Sequence, residues 1–270
     1  MALWTLYGLL EGKATTDWPD GKDDGQEGVI GMPRYRAGKC DKGCTACADV
    51  CPTRAIVFSD GEAGAAPRLA IDYGRCVACQ LCIEACPTGA METSHDWAFG
   101  VRERCDLVLD DAGESSKREQ RQPSAPRSGF RRSLHIRHVD AGSCNGCESE
   151  LQALNNPFYN LHRLGIFFTP SPRFADVMLV TGPVTYAMRE VVLRTYEAMP
   201  DPKWVVATGT CAVSGGIAEG GYAGGHGAGE IVPVDVYVPG CPPNPAAIIQ
   251  ALLMLLDRAP QHVNGGRYGK

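Results

Sequence analysis

The cysteine pattern constrains this chain more than any other feature of its sequence. Residues 39–93 contain two similar halves, "KCDKGCTACADVCPTRAI" and "RCVACQLCIEACPTGAM", and each half ends in Cys-Pro-Thr-x-Ala. The second half has the spacing C-x2-C-x2-C-x3-C-P, and the first has one extra residue between its first two cysteines. This spacing is typical of loops that wrap around a 4Fe-4S cluster, with three thiolates on one cluster and the fourth on its neighbour. The repeat therefore predicts a small α+β domain that holds two clusters.

By the rule for two-cluster domains, each cluster takes three cysteines from one half of the repeat and one from the other half. The predicted ligands of the first 4Fe-4S cluster are Cys40, Cys44, Cys47 and Cys86, and those of the second are Cys51, Cys76, Cys79 and Cys82. A zinc ribbon is the alternative, because C-x2-C pairs also suit tetrahedral zinc. Zinc would use four of these cysteines and leave the other four unexplained, together with both Cys-Pro endings, so the clusters are favoured.

Composition bounds the kind of protein. The chain has 13 cysteines, an odd number, without an amino-terminal signal peptide that would send them to an oxidising compartment, so metal ligation is favoured over disulfides. Its formal net charge of -5 argues against a nucleic-acid binder, whose affinity depends on neutralising phosphates. The apolar opening stretch "MALWTLYGLL" is too short to span a bilayer and predicts a short helix that packs on this protein or on a neighbour. A membrane-surface anchor is the alternative.

Beyond residue 132 the sequence alternates between strand-like and helix-like segments. Strands are predicted at "LHIRHVD", "ADVMLVTGPVT", "KWVVATGTC" and "DVYV", and helices at "ESELQALNN", "YAMREVVLRTYEAM" and "PAAIIQALLMLLD". Such alternation predicts right-handed βαβ units and a parallel sheet covered on both faces. We therefore expect an α/β doubly wound, flavodoxin-like domain after the α+β domain.

The predicted organisation has five parts. Residues 1–38 form an extended amino-terminal arm, 39–109 the two-cluster domain, 110–132 a charged and Ser/Pro-rich linker, 133–258 the α/β domain, and 259–270 a flexible tail. Within 39–109, "IVFSD" and "RLAIDY" are the predicted strands, and a short helix is expected to start near each Cys-Pro.

Four further cysteines lie at or just after the ends of predicted strands of the α/β domain: Cys144 and Cys147 follow the first strand, Cys211 ends the strand "WVVATGTC", and Cys241 follows the last strand. Since the carboxyl ends of parallel strands converge on one crevice, residues far apart in sequence can meet there. A third four-cysteine site is therefore predicted, with Gly209, Gly215, Gly216 and the prolines after Cys241 shaping tight loops that approach the bound group. The alternatives are buried free cysteines, which behave as small hydrophobes, and zinc. Cys105 is left over and is interpreted as a core or surface thiol.

The segments around these four cysteines resemble a known family. "SCNGCESELQALNNPFYNLHRLGI", "SPRFADVMLVTGPVT", "TYEAMPDPKWVVATGTCAVSGGI" and "VYVPGCPPNPAAI" are similar to the small subunit of the membrane-bound, energy-converting NiFe hydrogenases of the formate hydrogenlyase type. That subunit is related to the complex I subunit that carries the terminal cluster before quinone. Complex I subunits have adjacent cysteines where this chain has Cys144-x-x-Cys147, a spacing that sides with the hydrogenases. Residues 1–108, in which "MPRY" leads into the paired cysteine motifs, are similar to the two-cluster ferredoxin subunit of the same complexes.

The resemblance implies that this chain is a fusion of two iron-sulfur subunits of a NiFe hydrogenase complex. It implies that Cys144, Cys147, Cys211 and Cys241 hold the proximal 4Fe-4S cluster beside the NiFe site of a separate large subunit, as the last of three clusters that relay electrons. Implied partners are the large subunit, integral membrane subunits, and a soluble donor or acceptor module such as formate dehydrogenase, carbon monoxide dehydrogenase or ferredoxin. The implied location is cytoplasmic, at the inner face of the cell membrane, reached through partner subunits.

Two other functions stay open at this point. One is a complex I-like module, or a hydrogenase-related complex without nickel, that delivers electrons to quinone. The Cys144-x-x-Cys147 pair argues against ordinary complex I, but it says nothing about the loss of nickel, because the nickel ligands would lie on another chain. The other is a soluble ferredoxin with a structural second domain. The third cysteine site opposes this function, because a cluster in the crevice of an α/β domain implies a docked partner.

Glu148 follows Cys147 directly and has two interpretations. Its carboxylate lies at a predicted helix start, where it favours the helix dipole, as does that of Glu150. Alternatively, it relays protons between the partner's metal site and water, a task that suits a buried carboxylate.

The glycine-rich loop "GGIAEGGYAGGHGAG" fits no phosphate-binding motif and is interpreted as a flexible or partner-contacting loop. Since the cysteines already account for the clusters, the histidines are interpreted as surface or packing residues: His135, His138, His162 and His226.

Overall fold

The computed structural model describes residues 3–11, 30–41, 43–59, 68–110, 133–259 and 261. Within those ranges the chain forms seven α-helices and ten β-strands, and the strands are grouped in three sheets. None of the helices in the described ranges has the length and hydrophobicity needed to cross a bilayer. The predicted linker lies outside the described residues apart from Asp110, and so does most of the predicted tail.

The cysteine repeat forms a small α+β unit. Strands β2 (Ile56–Ser59), β3 (Arg68–Asp72) and β5 (Val108–Asp110) make an antiparallel sheet with β3 at its centre, and β1 (Arg34–Tyr35) pairs antiparallel with β4 (Met91–Glu92). Helices α2 (Ala46–Asp49) and α3 (Leu81–Glu84) occupy equivalent places in the two halves of the repeat. The core of this unit combines apolar residues from the sheet with residues from the following loops: Ile56, Leu69, Ile71, Leu109, Met91 and Phe99.

The prediction that a short helix starts near each Cys-Pro is wrong. Helix α2 ends at Asp49, ahead of Cys51, and α3 ends at Glu84, ahead of Cys86. The physical reason is that proline disfavours helical backbone at the residue before it, so each helix stops before the cysteine. The cysteine is thereby left in a turn, where its side chain can be directed independently of the helix.

The amino-terminal arm is not uniformly extended. Leu3–Glu11 form helix α1, as the apolar opening stretch predicts, and its four leucines are exposed, from 52% at Leu6 to 88% at Leu3. At the other end of the arm, Gly31 and Met32 are buried, and the amide of Gly31 donates to the carbonyl of Ser94 (2.8 Å). The described end of the arm is therefore part of the α+β unit, while residues 12–29 lie outside the described ranges.

The second unit is built on one sheet of five parallel strands: β6 (Leu134–Asp140), β7 (Ile166–Phe168), β8 (Val177–Thr181), β9 (Trp204–Thr208) and β10 (Val236–Val238). Their order across the sheet is β7-β6-β8-β9-β10. Every residue of β8 and β9 is buried, as expected for central strands covered on both faces. The parallel sheet confirms the prediction from the alternating pattern. Strand β7 was missed, because three residues are too few to stand out from a loop.

Helices alternate with these strands: α4 (Gly146–Ala153), α5 (Arg189–Glu197), α6 (Thr210–Ser214) and α7 (Pro245–Leu255). All residues of α7 except Gln250 are buried. Asn244 caps this helix by accepting a hydrogen bond from the amide of Ala247 (2.7 Å), and Pro245 follows at the first position, where its missing amide hydrogen has no partner to lose. The loops that lead from β6, β9 and β10 into α4, α6 and α7 all open at the same edge of the sheet.

Backbone pairing joins the two units. Val101 and Tyr237 exchange both backbone hydrogen bonds (3.0 and 2.8 Å), which adds a bridge beside β10. Next to it, Arg102 donates to the carboxylate of Asp257 (2.8 Å) and to the carbonyl of Met254 (2.6 Å). The α+β unit is therefore held against the end of α7.

Gln261 belongs to the predicted flexible tail, but it is anchored. Its side chain accepts a hydrogen bond from the amide of Arg102 (3.1 Å) and donates to the carboxylate of Asp106 (3.2 Å). The chain at this position therefore packs back on the α+β unit.

Candidate functional site

The two Cys-Pro-Thr-x-Ala sequences fold into the same turn. In the first, the amide of Ala55 donates to the Sγ of Cys51 (3.2 Å), and in the second the amide of Ala90 donates to the Sγ of Cys86 (3.2 Å). The threonine hydroxyl of each turn lies 3.8 Å from the same sulfur. Hydrogen bonds to a sulfur stabilise its thiolate form, which is the form that binds metal. Each half of the repeat thus presents one preorganised thiolate ligand.

The variable residue of each turn has left-handed backbone. It is Arg54 in the first half, with φ 52°, and Gly89 in the second, with φ 65°. This conformation turns the chain so that the amide of the following alanine points back at the cysteine sulfur. Glycine adopts it without strain, whereas a residue with a Cβ atom does not.

Cys51 lies with three cysteines of the other half of the repeat. The pKa of Cys76 is raised to about 12 and that of Cys82 to about 11, mainly by burial, and the charges of the nearby Cys51 and Cys79 contribute to both increases. The structure therefore brings together one cysteine from the first half and three from the second: Cys51, Cys76, Cys79 and Cys82.

Cys40, Cys44 and Cys47 form another group. Burial raises the pKa of Cys47 to about 11, and the charges of Cys40 and Cys44 contribute to the rise. The extra residue between Cys40 and Cys44 does not separate these three cysteines. The pKa of Cys86 is lowered. Burial disfavours its thiolate, but hydrogen bonds from the amides of Met91 and Thr88, in and next to its own turn, outweigh this effect. That Cys86 lies beside Cys40, Cys44 and Cys47 stays a prediction.

The four remaining cysteines of interest meet at the edge of the parallel sheet where the loops open. Cys144 lies in the loop after β6, Cys147 in the first turn of α4, Cys211 in α6, and Cys241 in the loop after β10. The pKa of Cys147 is raised to about 12, mainly by burial, with contributions from the charges of Glu148 and of the other three cysteines. Burial also raises the pKa of Cys211 to about 11, again with contributions from Cys241 and Cys144. These four residues form the third group.

The sequence predicted that Cys211 ends strand β9, and this prediction is wrong. The strand stops at Thr208, Gly209 turns the chain with φ 89°, and Cys211 is the second residue of α6. The left-handed glycine changes the direction of the backbone within one residue. The cysteine is thereby aimed across the edge of the sheet instead of along the strand.

Two glycines leave room beside the sulfurs of the third group. A Cβ atom at Gly209 would lie 2.5 Å from the Sγ of Cys147, and one at Gly216 would lie 2.9 Å from the Sγ of Cys211. Real Cβ atoms do not approach other atoms this closely, so no larger residue fits at either position without a shift. Gly215 was predicted to play the same role, but a Cβ atom there would meet the carbonyl oxygen of Gly225 (2.6 Å) and not a sulfur.

The donor set of the third group fits an iron-sulfur cluster. Four thiolates gathered in a partly buried place repel one another, and the positive charge of bound iron offsets that repulsion. Gly209 and Gly216 keep the space beside two of the sulfurs free of side chains. Among the described residues, no three His, Cys, Asp or Glu side chains come together in the arrangement that a single metal ion requires.

Glu148 lies beside the third group, and other side chains hold its carboxylate. The hydroxyls of Ser143 and Thr181 donate to it, and the Nε2 of His138 lies 3.4 Å away. His138 Nε2 is also 2.9 Å from the Oγ1 of Thr181. Burial lowers the pKa of His138, and the carboxylates of Glu148 and Asp140 act in the opposite direction. Glu148 is thus part of a chain of polar side chains that runs from the loop into β6 and β8.

From the sequence, His138 was interpreted only as a surface or packing residue, and its contacts with Thr181 and Glu148 were missed. The available signal was its position near the carboxyl end of β6, the strand that leads into Cys144. The other histidines have different surroundings. His135 and His162 lie on the ring of Phe167, with centroid distances of 5.7 and 5.2 Å.

The glycine-rich loop of residues 215–229 packs on the segment after β8. The amide of Gly225 donates to the carbonyl of Pro183 (3.2 Å), and the amide of Tyr186 donates to the carbonyl of Ala223 (3.0 Å). Tyr222, in contrast, is fully exposed. His226 Nδ1 lies 3.3 Å from the carboxylate of Glu219. Cys105 is exposed, in the short 3-10 helix Arg104–Leu107.

Comparison with known proteins gives two family matches. Residues 144–255 match the family described as NADH ubiquinone oxidoreductase, 20 Kd subunit, and residues 39–90 match the family described as the 4Fe-4S dicluster domain. The first match contains all four cysteines of the third group. The second contains all eight cysteines of the repeat, and the α+β unit is therefore an iron-sulfur domain.

Individual relatives match about half of the chain. The chain is 46% identical over 135 residues to formate hydrogenlyase subunit 7 of Escherichia coli, a match that covers 50% of this chain and 53% of that subunit. It is also 46% identical over 129 residues to an uncharacterized protein of Methanocaldococcus jannaschii, covering 48% of this chain and 86% of that protein. Among solved structures, a chain of the membrane-bound sulfane sulfur reductase, an archaeal respiratory membrane complex, is 38% identical with a TM-score of 0.43, covering 48% of this chain and 71% of that one.

Proposed function

Because this chain belongs, through residues 144–255, to the family of the NADH ubiquinone oxidoreductase 20 kDa subunit and is homologous to formate hydrogenlyase subunit 7, we propose that it is an electron-transfer subunit of a NiFe hydrogenase complex. The complex interconverts protons and H2 at a NiFe site in a separate large subunit. The observation that carries the proposal is the convergence of the third group of cysteines at one edge of the parallel sheet.

The chain holds three 4Fe-4S clusters in this proposal, four cysteines to each. The ligands are Cys40, Cys44, Cys47 and Cys86 for the first, Cys51, Cys76, Cys79 and Cys82 for the second, and Cys144, Cys147, Cys211 and Cys241 for the third. Each bound cluster takes up or releases one electron at a time. The grouping of the thiols in space supports the second and third sets, and the equivalent turns at Cys51 and Cys86 support the exchange of ligands between the halves.

The exposure of the third group supports a docked partner. Cys144 and Cys241 are exposed, whereas Cys147 is buried. The loops of the exposed cysteines are thus accessible to another protein, while the buried side is packed on the sheet. The NiFe large subunit is the partner proposed for the exposed side.

Contacts between the two units support the order of the relay. Arg75, next to Cys76, forms an ion pair with Glu219 of the α/β unit (2.6 Å). Ala78 and Cys241 line the same cavity between the units. The second cluster is therefore the neighbour of the third in the proposed relay, and the first cluster exchanges electrons with a soluble module such as formate dehydrogenase, carbon monoxide dehydrogenase or ferredoxin.

The strand order supports a flavodoxin-like, doubly wound α/β unit. Numbered within the unit, the order β7-β6-β8-β9-β10 is 2-1-3-4-5. In this arrangement ligands bind at the carboxyl ends of the strands, near the point where the strand order reverses. Cys144 and Cys147 follow β6, the strand at that point.

Glu148 is proposed to relay protons between the NiFe site and water. Its carboxylate is mostly buried, with 14% of the side chain exposed, and it is connected through Thr181 to His138. A carboxylate that only favours the helix dipole needs no such connection. The hydroxyl of Thr181 and the imidazole of His138 are therefore the groups to which Glu148, beside the third group, passes a proton.

A second candidate function has support from the family match itself, whose description is that of a complex I subunit. In this alternative the chain delivers electrons to quinone in a complex I-like or nickel-free complex. The Cys144-x-x-Cys147 spacing favours the hydrogenase over ordinary complex I. We place either complex at the inner face of the cell membrane, held there by integral membrane subunits.

Purification of the complex through a tag on this chain tests the function. The complex is isolated without oxygen from its native cells, and its nickel, iron and H2-dependent dye reduction are measured. The hydrogenase proposal predicts about one nickel per chain and about twelve iron atoms in its clusters, four per cluster, besides the iron of the NiFe site, together with H2 activity. Iron near twelve without nickel or H2 activity would support the quinone alternative.

A further inference from the structure

One buried hydroxyl connects the loops of the second and third cysteine groups. Thr210 begins α6, directly before Cys211, and is 1% exposed. Its Oγ1 donates to the carbonyl oxygen of Cys76 (2.9 Å). This bond therefore joins a residue beside a third-group ligand to a second-group ligand itself.

The same hydroxyl also accepts a hydrogen bond from the other side. The amide of Gly240, directly before Cys241, donates to Thr210 Oγ1 (3.1 Å), and the amide of Thr210 donates to the carbonyl of Gly240 (2.8 Å). Donor and acceptor capacities of the hydroxyl are thus both used. Two loops of the third group and one loop of the second are fixed to one another at a single oxygen atom.

The rate of electron transfer between two clusters depends steeply on the distance and on the bonded path between them, and the protein controls both by how it positions the cofactors. We propose that Thr210 is a positioning residue that fixes the second cluster relative to the third and provides the hydrogen-bonded link between their ligand loops. This inference rests on the proposed function, because it requires a cluster in each group.

The step that Thr210 supports is a single electron transfer. One electron leaves the reduced cluster held by Cys51, Cys76, Cys79 and Cys82, which is oxidised, and enters the oxidised cluster held by Cys144, Cys147, Cys211 and Cys241, which is reduced. No covalent bond forms or breaks, and no proton has to move. In the opposite direction of enzyme turnover the same step runs in reverse.

Thr208 offers a matched control two residues away. It is fully buried, and its hydroxyl makes no hydrogen bond within the described part of the chain. Thr208→Val, at the end of β9, and Thr210→Val, at the start of α6, therefore make the same chemical change two residues apart, but only the second removes the link to Cys76. Thr210→Ser keeps the hydroxyl and removes only a methyl group.

The test uses the whole complex carrying each variant. Iron per chain is measured first; the magnetic coupling between the second and third clusters is then measured by EPR, and the rate at which electrons equilibrate between them is followed after rapid mixing with dithionite. Thr210→Val is expected to keep about twelve iron atoms per chain. It is expected to slow transfer at least about tenfold with weaker coupling, since small displacements of reacting groups have large effects on rates. Thr210→Ser and Thr208→Val are expected to stay within about twofold of wild type.

Two results overturn the inference. One is a Thr210→Val complex with unchanged transfer rate and coupling, and the other is equal slowing in Thr208→Val, which would assign the effect to packing. If Thr210→Val does not yield a folded chain, Thr210→Ala is measured against the same expectations. A wild-type complex with iron near eight would contradict the proposed function itself, and is thus distinct from either result.

Discussion

Gly209 lies so close to Cys147 that a Cβ atom on the glycine would be 2.5 Å from the cysteine sulfur. The glycine also has a φ of 89°, which residues with side chains rarely adopt. Space and backbone conformation both exclude a larger residue at the entrance to the third group. Any group bound by these four cysteines therefore depends on this glycine.

Gly209→Ala is expected to prevent the third cluster from being held while leaving the two clusters of the α+β unit in place. Iron should fall from about twelve to about eight atoms per chain. Gly220→Ala is the matched control, because Gly220 also has positive φ (71°) but nothing lies within 4 Å of its Cβ position. Iron analysis of the purified variants decides; a Gly209→Ala chain with wild-type iron would contradict the role of this glycine.

The two Cys-Pro-Thr-x-Ala turns differ at one residue, and this difference predicts unequal effects. Gly89→Ala places a Cβ atom at a φ of 65° and should destabilise the α+β unit by about 1–2 kcal/mol. Arg54→Ala, at the equivalent position, starts from a residue that already has a side chain and should change the stability little. Denaturant unfolding, followed by the loss of cluster absorbance, compares the two. Equal destabilisation by the two substitutions would show that the strain of a Cβ atom at positive φ does not explain the effect of Gly89→Ala.

The threonines of these turns test the exchange of ligands between the halves. Each hydroxyl lies 3.8 Å from a cysteine sulfur, and loss of a hydrogen bond to a cluster thiolate lowers the reduction potential. Thr53→Val is therefore expected to lower the potential of the cluster of Cys76, Cys79 and Cys82, and Thr88→Val that of the other cluster. EPR-monitored titration identifies the former by its coupling to the third cluster. A shift of the opposite cluster in each variant would show that each half binds its own cluster.

The two interpretations of Glu148 predict different results for two carboxylates of α4. If Glu148 relays protons, Glu148→Gln should lower H2 turnover by about a hundredfold without changing the iron content. Glu150→Gln should leave turnover nearly unchanged. If both residues only favour the helix dipole, both substitutions will have similar, small effects on turnover. H2-dependent dye reduction by the complex measures the difference.

His138 predicts a pH dependence of stability. Burial lowers its pKa, with Arg137 acting in the same direction and Glu148 and Asp140 against it. In the unfolded chain its pKa is about 6.5, so as the pH falls through that value the unfolded state gains a proton before the folded state does. The contribution of His138 to stability is therefore fully present above about pH 6.5 and is lost below it. Unfolding of wild type and His138→Gln across this range should show a smaller loss in the variant; parallel curves would contradict the prediction.

Much of this architecture could be predicted from the sequence, because the sequence patterns that indicate it are local. The closely spaced cysteines of each half of the repeat, and the apolar strands that alternate with amphipathic segments, can each be recognised within a short stretch of sequence. The parallel sheet and the cysteine repeat follow from them. The place of Cys211 inside α6 was not predictable in the same way, because it depends on a single left-handed glycine between strand and helix.

Two contacts between separate elements had little or no signal in the sequence. The hydroxyl of Thr210 meets the carbonyl of Cys76 only because the two units pack together, and His138 meets Glu148 because the carboxyl end of β6 lies beside the first turn of α4. Threonine and histidine have many ordinary roles in a fold, so their residue types alone do not indicate these contacts. The side chains that tune or connect the cysteine groups were therefore found only in the structure.

Reduction of the complex by H2 tests the central claim most directly. The oxidised complex is exposed to H2 without oxygen, and the unpaired electrons on its clusters are counted by EPR, for wild type and for Gly209→Ala. In wild type, the account predicts about three reduced clusters per chain. In Gly209→Ala it predicts that the clusters of the α+β unit stay oxidised, because the third cluster is their connection to the NiFe site. Absence of any reduction by H2 in wild type, or reduction of the α+β clusters in Gly209→Ala at the wild-type rate, would contradict it.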